Sequence, residues 1–276
     1  MKNLVFAFAV AAVLSAGCSG DRLDTTGRHM EKLRVGPVTP KSSLSSDSKS
    51  FSWSAGDAIS VYTSDGSASE LVKFSTSAGG EETDFSGMVL DGYTVGKVAL
   101  YPYSESHSVS GDQVTFMLPQ EYDYDASVTQ LSTNMPLAAV FGDASGNVEF
   151  KHIGGVLRIN LMNVPAGADK FVFTSTNTVI TGRFALDISQ DEPVISSENV
   201  SSGGKTVTVN FGPLAENQDQ MSFFIPVPVC TVRGWSFVIS AGDKAMPAVS
   251  TSKATVVSRR SVLTATFKCT EFTADT

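Results

Sequence analysis

The sequence predicts an all-β chain built as two β-sandwich domains in tandem. Three observations carry this. From Phe51 onward, apolar and polar residues alternate with period two. The apolar runs are short, rich in β-branched and aromatic residues, and divided by Gly, Pro, Asn, Asp and Ser. Apolar spacing of three and four over a dozen positions, which a helix needs, is absent, and Val128 to Leu131 offers one turn at most.

The first residues read as an export signal. Lys2 is a short positive start, and Leu4 to Leu14 is an unbroken apolar run. That run is too short to span a bilayer, which takes about 20 residues, and it suits a removable leader. It ends in LSAGC, Leu14 to Cys18. This sequence resembles the lipobox of bacterial lipoproteins, which implies a cut between Gly17 and Cys18 and lipid on the Cys18 thiol. Residues 1–17 are then the signal peptide. No second long apolar run follows.

Residues 18–50 read as a lipidated N-terminal segment. Ser42 to Ser50, SSLSSDSKS, is poor in apolar residues and reads as exposed. Within the segment, Met30 to Val38, MEKLRVGPV, is the one strand candidate, and Pro37 holds it at a sheet edge. The first sandwich is expected over 51–164. Phe51 and Trp53, then Ile59 and Val61, alternate around a Gly56-Asp57 turn. Further strands are expected at Leu71 to Phe74, Lys97 to Tyr103, Gln113 to Leu118, Val148 to Phe150 and Val156 to Leu161. Between them, Glu81, Glu82 and Asp84 read as a solvated hairpin tip after Gly79-Gly80.

The run Asn163 to Ala168, NVPAGA, marks the boundary, and 165–276 form the second sandwich. Its strands are expected at Lys170 to Thr174, Thr181 to Asp187, Lys205 to Phe211, Gln220 to Val227, Trp235 to Ile239, Ala254 to Val257 and Val262 to Lys268. Cys230 and Cys269 fall in strand-like segments. They are either a disulfide, if their Cα atoms lie within about 7 Å, or two buried thiols.

Composition narrows the function. A net charge of −8 and no basic run argue against nucleic acid as a partner. Lys253, Arg259 and Arg260 are the densest cations and read as a solvated strand end. The histidines, His29, His107 and His152, have no second His or Cys at metal-ligand spacing, so no metal or cofactor is expected. Asp123 and Asp125 lack the rest of a calcium loop. There is no G-x-S-x-G elbow, P-loop or dinucleotide motif, and the chain does not read as an enzyme. Tyr101, Tyr103, Tyr122 and Tyr124 are the aromatics that a surface glycan-binding lipoprotein would use, the alternative reading.

Six segments, in order, carry a resemblance. FSWSAGDAISVY (Phe51 to Tyr62), VALYPYS (Val98 to Ser104) and FMLPQEY (Phe116 to Tyr122) are followed by NMPLAA (Asn134 to Ala139), FKHIGGVLRINL (Phe150 to Leu161) and FFIPVPV (Phe223 to Val229). Together they resemble Bacteroidales fimbrillin-like proteins over most of the chain. The resemblance implies two sandwiches of transthyretin-like topology and a structural or adhesion subunit of a type V pilus, exported as a lipoprotein. It implies a homo- or hetero-polymer of pilus subunits, an outer-membrane tether through lipid, and a host or microbial surface ligand. It implies that proteolysis after a basic residue frees an N-terminal strand, so that a strand of the next subunit takes its place. The candidates here are Arg34, Arg28 and Lys41. Asp24-Thr25-Thr26 also resembles the O-glycosylation acceptor of this bacterial group.

Overall fold

The computed structural model describes residues 27–38, 52–124, 135–143 and 146–274. Cys18, Lys41, Asp125, the Val128 to Leu131 turn and the Asp24-Thr25-Thr26 acceptor lie outside them. The described residues hold strands and no helix. In chain order the strands are β1 (Arg28–Val35), β2 (Ala58–Ser64), β3 (Ser69–Ser75), β4 (Thr83–Leu90), β5 (Thr94–Tyr101), β6 (Ser108–Ser110) and β7 (Gln113–Leu118). Next come β8 (Glu121–Asp123), β9 (Leu137–Asp143), β10 (Lys151–His152), β11 (Gly155–Val164), β12 (Lys170–Ser175), β13 (Thr181–Asp187) and β14 (Val200–Gly204). The last are β15 (Thr206–Asn210), β16 (Gln218–Val227), β17 (Cys230–Ala241), β18 (Lys244–Ala245), β19 (Val249–Val257), β20 (Val262–Lys268) and β21 (Thr273–Ala274).

Four sheets result. The first runs β1-β4-β3-β2-β5-β9-β10. One of its faces surrounds Trp53, with Leu33, Val35, Ile59, Phe74, Phe85 and Phe150 all buried around it. The Gly56-Asp57 turn aims the chain from Trp53 into β2. Gly56 sits at φ 94°, a left-handed conformation that glycine adopts without a Cβ clash. The amide of Ser54 donates to Asp57 Oδ2 at 2.8 Å and closes the turn. The opposite face of β2, β5 and β9 packs on a second sheet, β14-β13-β7-β6, through Tyr62, Leu100, Phe116 and Phe184.

The remaining sheets, β16-β11-β20 and β21-β18-β17-β12-β15-β8 with β19 on β17, enclose a third core around Phe171, Ile225 and Ile239. Strand β11 pairs β16 antiparallel and β20 parallel.

The boundary expected at 164/165 does not separate these sheets. β11, which precedes it, pairs only with β16 and β20, which follow it. β13 pairs β7 from the first half, and β8 pairs β15 from the second. Pairing is decided by which apolar faces can be buried together, and a Pro-Gly turn marks only the end of a strand.

Two further expectations change. Asp84 is not in a solvated tip but inside β4, whose inward Thr83, Phe85 and Val89 are buried. Val148 to Phe150 is not a strand. Only Val148 forms a bridge, to Val35, and it brings the outer edge of β1 against the chain just before β10.

Candidate functional site

Two of the three cleavage candidates, Arg28 and Arg34, lie on β1. It alternates as period two requires: Arg28, Met30, Lys32 and Arg34 are exposed, while Leu33 and Val35 are fully buried. It pairs β4 antiparallel along its whole length, from Arg28 opposite Leu90 to Val35 opposite Thr83. Its other edge is held at one end only, where the Gly36 amide donates to the Val148 carbonyl and the Val148 amide to the Arg34 carbonyl. From Arg28 to Leu33 no strand lies on that edge among the described residues. β1 is therefore a terminal edge strand that plugs a core made by other elements. Burying Leu33 and Val35 is worth about 1.5–3 kcal/mol each, so the apolar plugs dominate its attachment.

Ion pairs line the outer face. Arg34 Nη1 lies 3.1 Å from Asp84 Oδ1, and Nη2 lies 3.1 Å from Glu82 Oε2. Arg28 Nη1 donates to the Met88 carbonyl at 2.9 Å and approaches Glu70 at 3.6 Å. On the other side of the strand, the side of Leu33 and Val35, His29 contacts Asp91 at 3.0 Å and Glu31 at 3.1 Å. Hydrogen bonds to Asp91 and then Glu31 hold its imidazole above the ordinary pKa. Beside these pairs, β3 and β4 join only at Ser75 and Ser86. They leave a polar depression of about 590 Å³ that includes Lys32, Arg34, Glu82 and Asp84.

The strand geometry distinguishes the three cleavage candidates. A cut after Arg28 leaves β1 in place. A cut after Arg34 breaks a bond inside the ladder, next to fully buried Val35. A cut after Lys41 lies beyond β1 and leaves the strand whole.

The other sequence candidates fall away from this strand. Tyr101 is 3% exposed and Tyr122 8%, so neither presents a ring face to a sugar. The Tyr101 hydroxyl donates to Asp57 at 3.2 Å. Tyr103 is half-buried under Lys73, and Tyr124 packs on Phe211 and Phe223. Asp123 is exposed at the end of β8, and no cluster of three or more His, Cys, Asp or Glu suited to a metal occurs among the described residues. His107 and His152 are both buried. The Ser60 hydroxyl lies 3.0 Å from His107 Nδ1, and the His107 ring stacks on Phe116.

Cys230 and Cys269 are buried free thiols, 8% and 9% exposed. Burial pushes both up to about 11, so neither ionises at neutral pH. Alkylation without reductant is expected to label both positions only after denaturation, read by peptide mass. A denatured, unreduced protein that takes no label there would reveal a bridge instead.

One cluster was missed. Arg259 and Arg260 are not a solvated strand end: their side chains are 17% and 18% exposed and both bind Glu192, with Arg260 at 3.3 Å. Lys151 approaches the same carboxylate at 3.7 Å. Glu192 follows β13, Lys151 is in β10, and the arginines turn from β19 into β20, so one carboxylate joins elements of all four sheets. The charge run was visible in the sequence; its distant partner was not.

No protein-family profile matches the chain, and no curated protein does. Among solved structures, it is similar to a presumed cell adhesion protein from Bacteroides uniformis ATCC 8492, with 16% identity, a TM-score of 0.47, and 88% of this chain and 94% of that one covered. A presumed cell adhesion protein from Bacteroides ovatus ATCC 8483 gives 11% identity and a TM-score of 0.46, covering 81% of this chain and 86% of that one. A fimbrial protein from Bacteroides ovatus ATCC 8483 gives 11% identity and a TM-score of 0.34, covering 78% of this chain but 44% of that one. Likeness at this level assigns neither a family nor a function.

Proposed function

We propose that this chain is a structural or adhesion subunit of a type V pilus, made as a lipoprotein cut before Cys18 and carried to the outer membrane by lipid on that cysteine. Assembly follows when proteolysis frees β1 and a strand of the next subunit fills the vacated groove. In this reading the sheets form two sandwich units of transthyretin-like topology, with β13 and β14 crossing the expected boundary into the first and β8 and β11 crossing it into the second.

The observation that carries the reading is β1. A strand that is first in the described chain, lies at a sheet edge, is held by one full ladder and fills its core with two aliphatic side chains is suited to replacement by another strand. The LSAGC run and the motif order support the export and pilus parts. Of the cleavage candidates, Lys41 suits release of the whole strand. Arg34 suits it only once the end of β1 has opened.

Trypsin treatment of the purified protein tests this. The expected result is an SDS-resistant ladder, with a new N-terminus by mass spectrometry after Lys41 or Arg34. Trimming at either site that yields monomers alone would remove support for polymerisation and leave a lipid-tethered anchor.

A further inference from the structure

The outer face of β1 and the rim it meets are opposite in charge. Arg28, Lys32 and Arg34 share the exposed face of the strand. Against it stand Glu70 on β3, Asp84 on β4 and Glu82 just before β4. With β1 gone, these three carboxylates keep their places on the retained strands and turns while the cations that face them leave. The depression between β3 and β4 gives room for long side chains beside Glu82 and Asp84. The rim belongs to a chain of net charge −8, so acidic segments are repelled both locally and at a distance.

We infer that the β1 groove selects its incoming strand by charge. Its occupant is an extended segment of another subunit with aliphatic residues at the positions of Leu33 and Val35 and a basic residue between them, facing Glu82 and Asp84. This rests on the strand-exchange reading and adds to it the identity of the partner strand. The apolar plugs supply most of the affinity, as in the intact chain. The carboxylates discriminate, because an acidic residue at the central position sets like charges against each other. Period two makes the code simple: inward residues are read by the core and outward ones by the rim.

The test uses the full chain with a site for a sequence-specific protease placed between Val38 and Ser52. After cutting, β1 remains seated but is no longer tethered. Labelled peptides spanning Gly27 to Val38 are then offered at a urea concentration below unfolding, and exchange is followed by fluorescence anisotropy. The native peptide is expected to displace β1, and the same peptide with R34E to bind about tenfold more weakly, with the gap shrinking in high salt. In the nicked E82K/D84K chain, checked for folding by circular dichroism, the preference is expected to reverse. If both peptides enter equally well and E82K/D84K changes nothing, charge selection is overturned while strand exchange stands. If neither peptide displaces β1, the strand-exchange reading falls and takes this inference with it.

Discussion

Lowering the pH from 7 to 4 is expected to remove several kcal/mol of folding stability, through two histidines. Burial pushes His107 down to about 4 from an ordinary 6.5. His152 is also held at about 4, first by burial and then by the neighbouring charges of Arg260 and Arg259. In both cases the folded chain resists a proton that the unfolded chain takes up. Between about pH 6.5 and pH 4 the unfolded state therefore binds more protons, and stability falls as pH falls. At about 1.36 kcal/mol per pKa unit, each histidine accounts for about 3 kcal/mol. Together they approach the whole stability of an ordinary domain, about 5–15 kcal/mol. The window is diagnostic. Asp65 and Asp187, held low by hydrogen bonds from backbone amides and serine hydroxyls, act below the ordinary carboxylate pKa of about 4. Urea unfolding at pH 7.5 and pH 4.5 checks the prediction. His107→Gln and His152→Gln should each flatten the pH dependence; an unchanged slope in the double variant would refute the assignment.

Trp53→Ala is expected to destabilise by about 3–5 kcal/mol, the range for a large aromatic removed from a packed core. Trp53 is 2% exposed. Its ring meets Phe85, Tyr101 and Phe150 edge to face, with centroids at 5.1, 5.2 and 5.3 Å. Its backbone pairs with Gly80, so the cavity would be framed by fixed strands and would collapse little. Trp235 offers a control. It is half-buried against Phe173, Phe237 and Phe267, and its alanine variant should lose less. The measurement is the urea midpoint at constant slope. A loss below about 1 kcal/mol for Trp53→Ala would mean that the indole is not the keystone of this core. Because Leu33 and Val35 share that core, the variant should also loosen β1, seen as faster amide exchange in Arg28–Val35 than elsewhere in the sheet.

Local alternation was legible where turn residues bracket it. Gln113–Leu118, Thr181–Asp187 and Val262–Lys268 are strands over the same residues that the pattern marks. β4 escaped because Ser86 and Gly87 break the apolar run in TDFSGMVL. The structure explains the glycine: a Cβ at Gly87 would run into the Phe74 ring. β9 escaped because its LAAVFGD is built from small residues with no polar alternation. It lies between β5 and β10, with Leu137 and Ala139 turned to one core and Ala138 to the other. Burial on both faces erases the period-two signal.

The candidate site divides the same way. MEKLRVGPV announced an edge strand, and Arg34 its basic residue. Their partners, Glu82 and Asp84, lie about fifty residues on in sequence and looked like an ordinary solvated turn. Sequence by itself determined that the chain is all-β, which residues of most strands face inward, and that β1 alternates charged with aliphatic residues. These are properties of each segment taken alone, set by backbone pleat and side-chain chemistry. Only the tertiary structure decided that β1 lies against β4, that β13 reaches back to β7, and that the outer face of β1 is bordered by Glu70, Glu82 and Asp84. Strand pairing depends on which apolar faces can be buried together across long separations, and no local pattern encodes that choice.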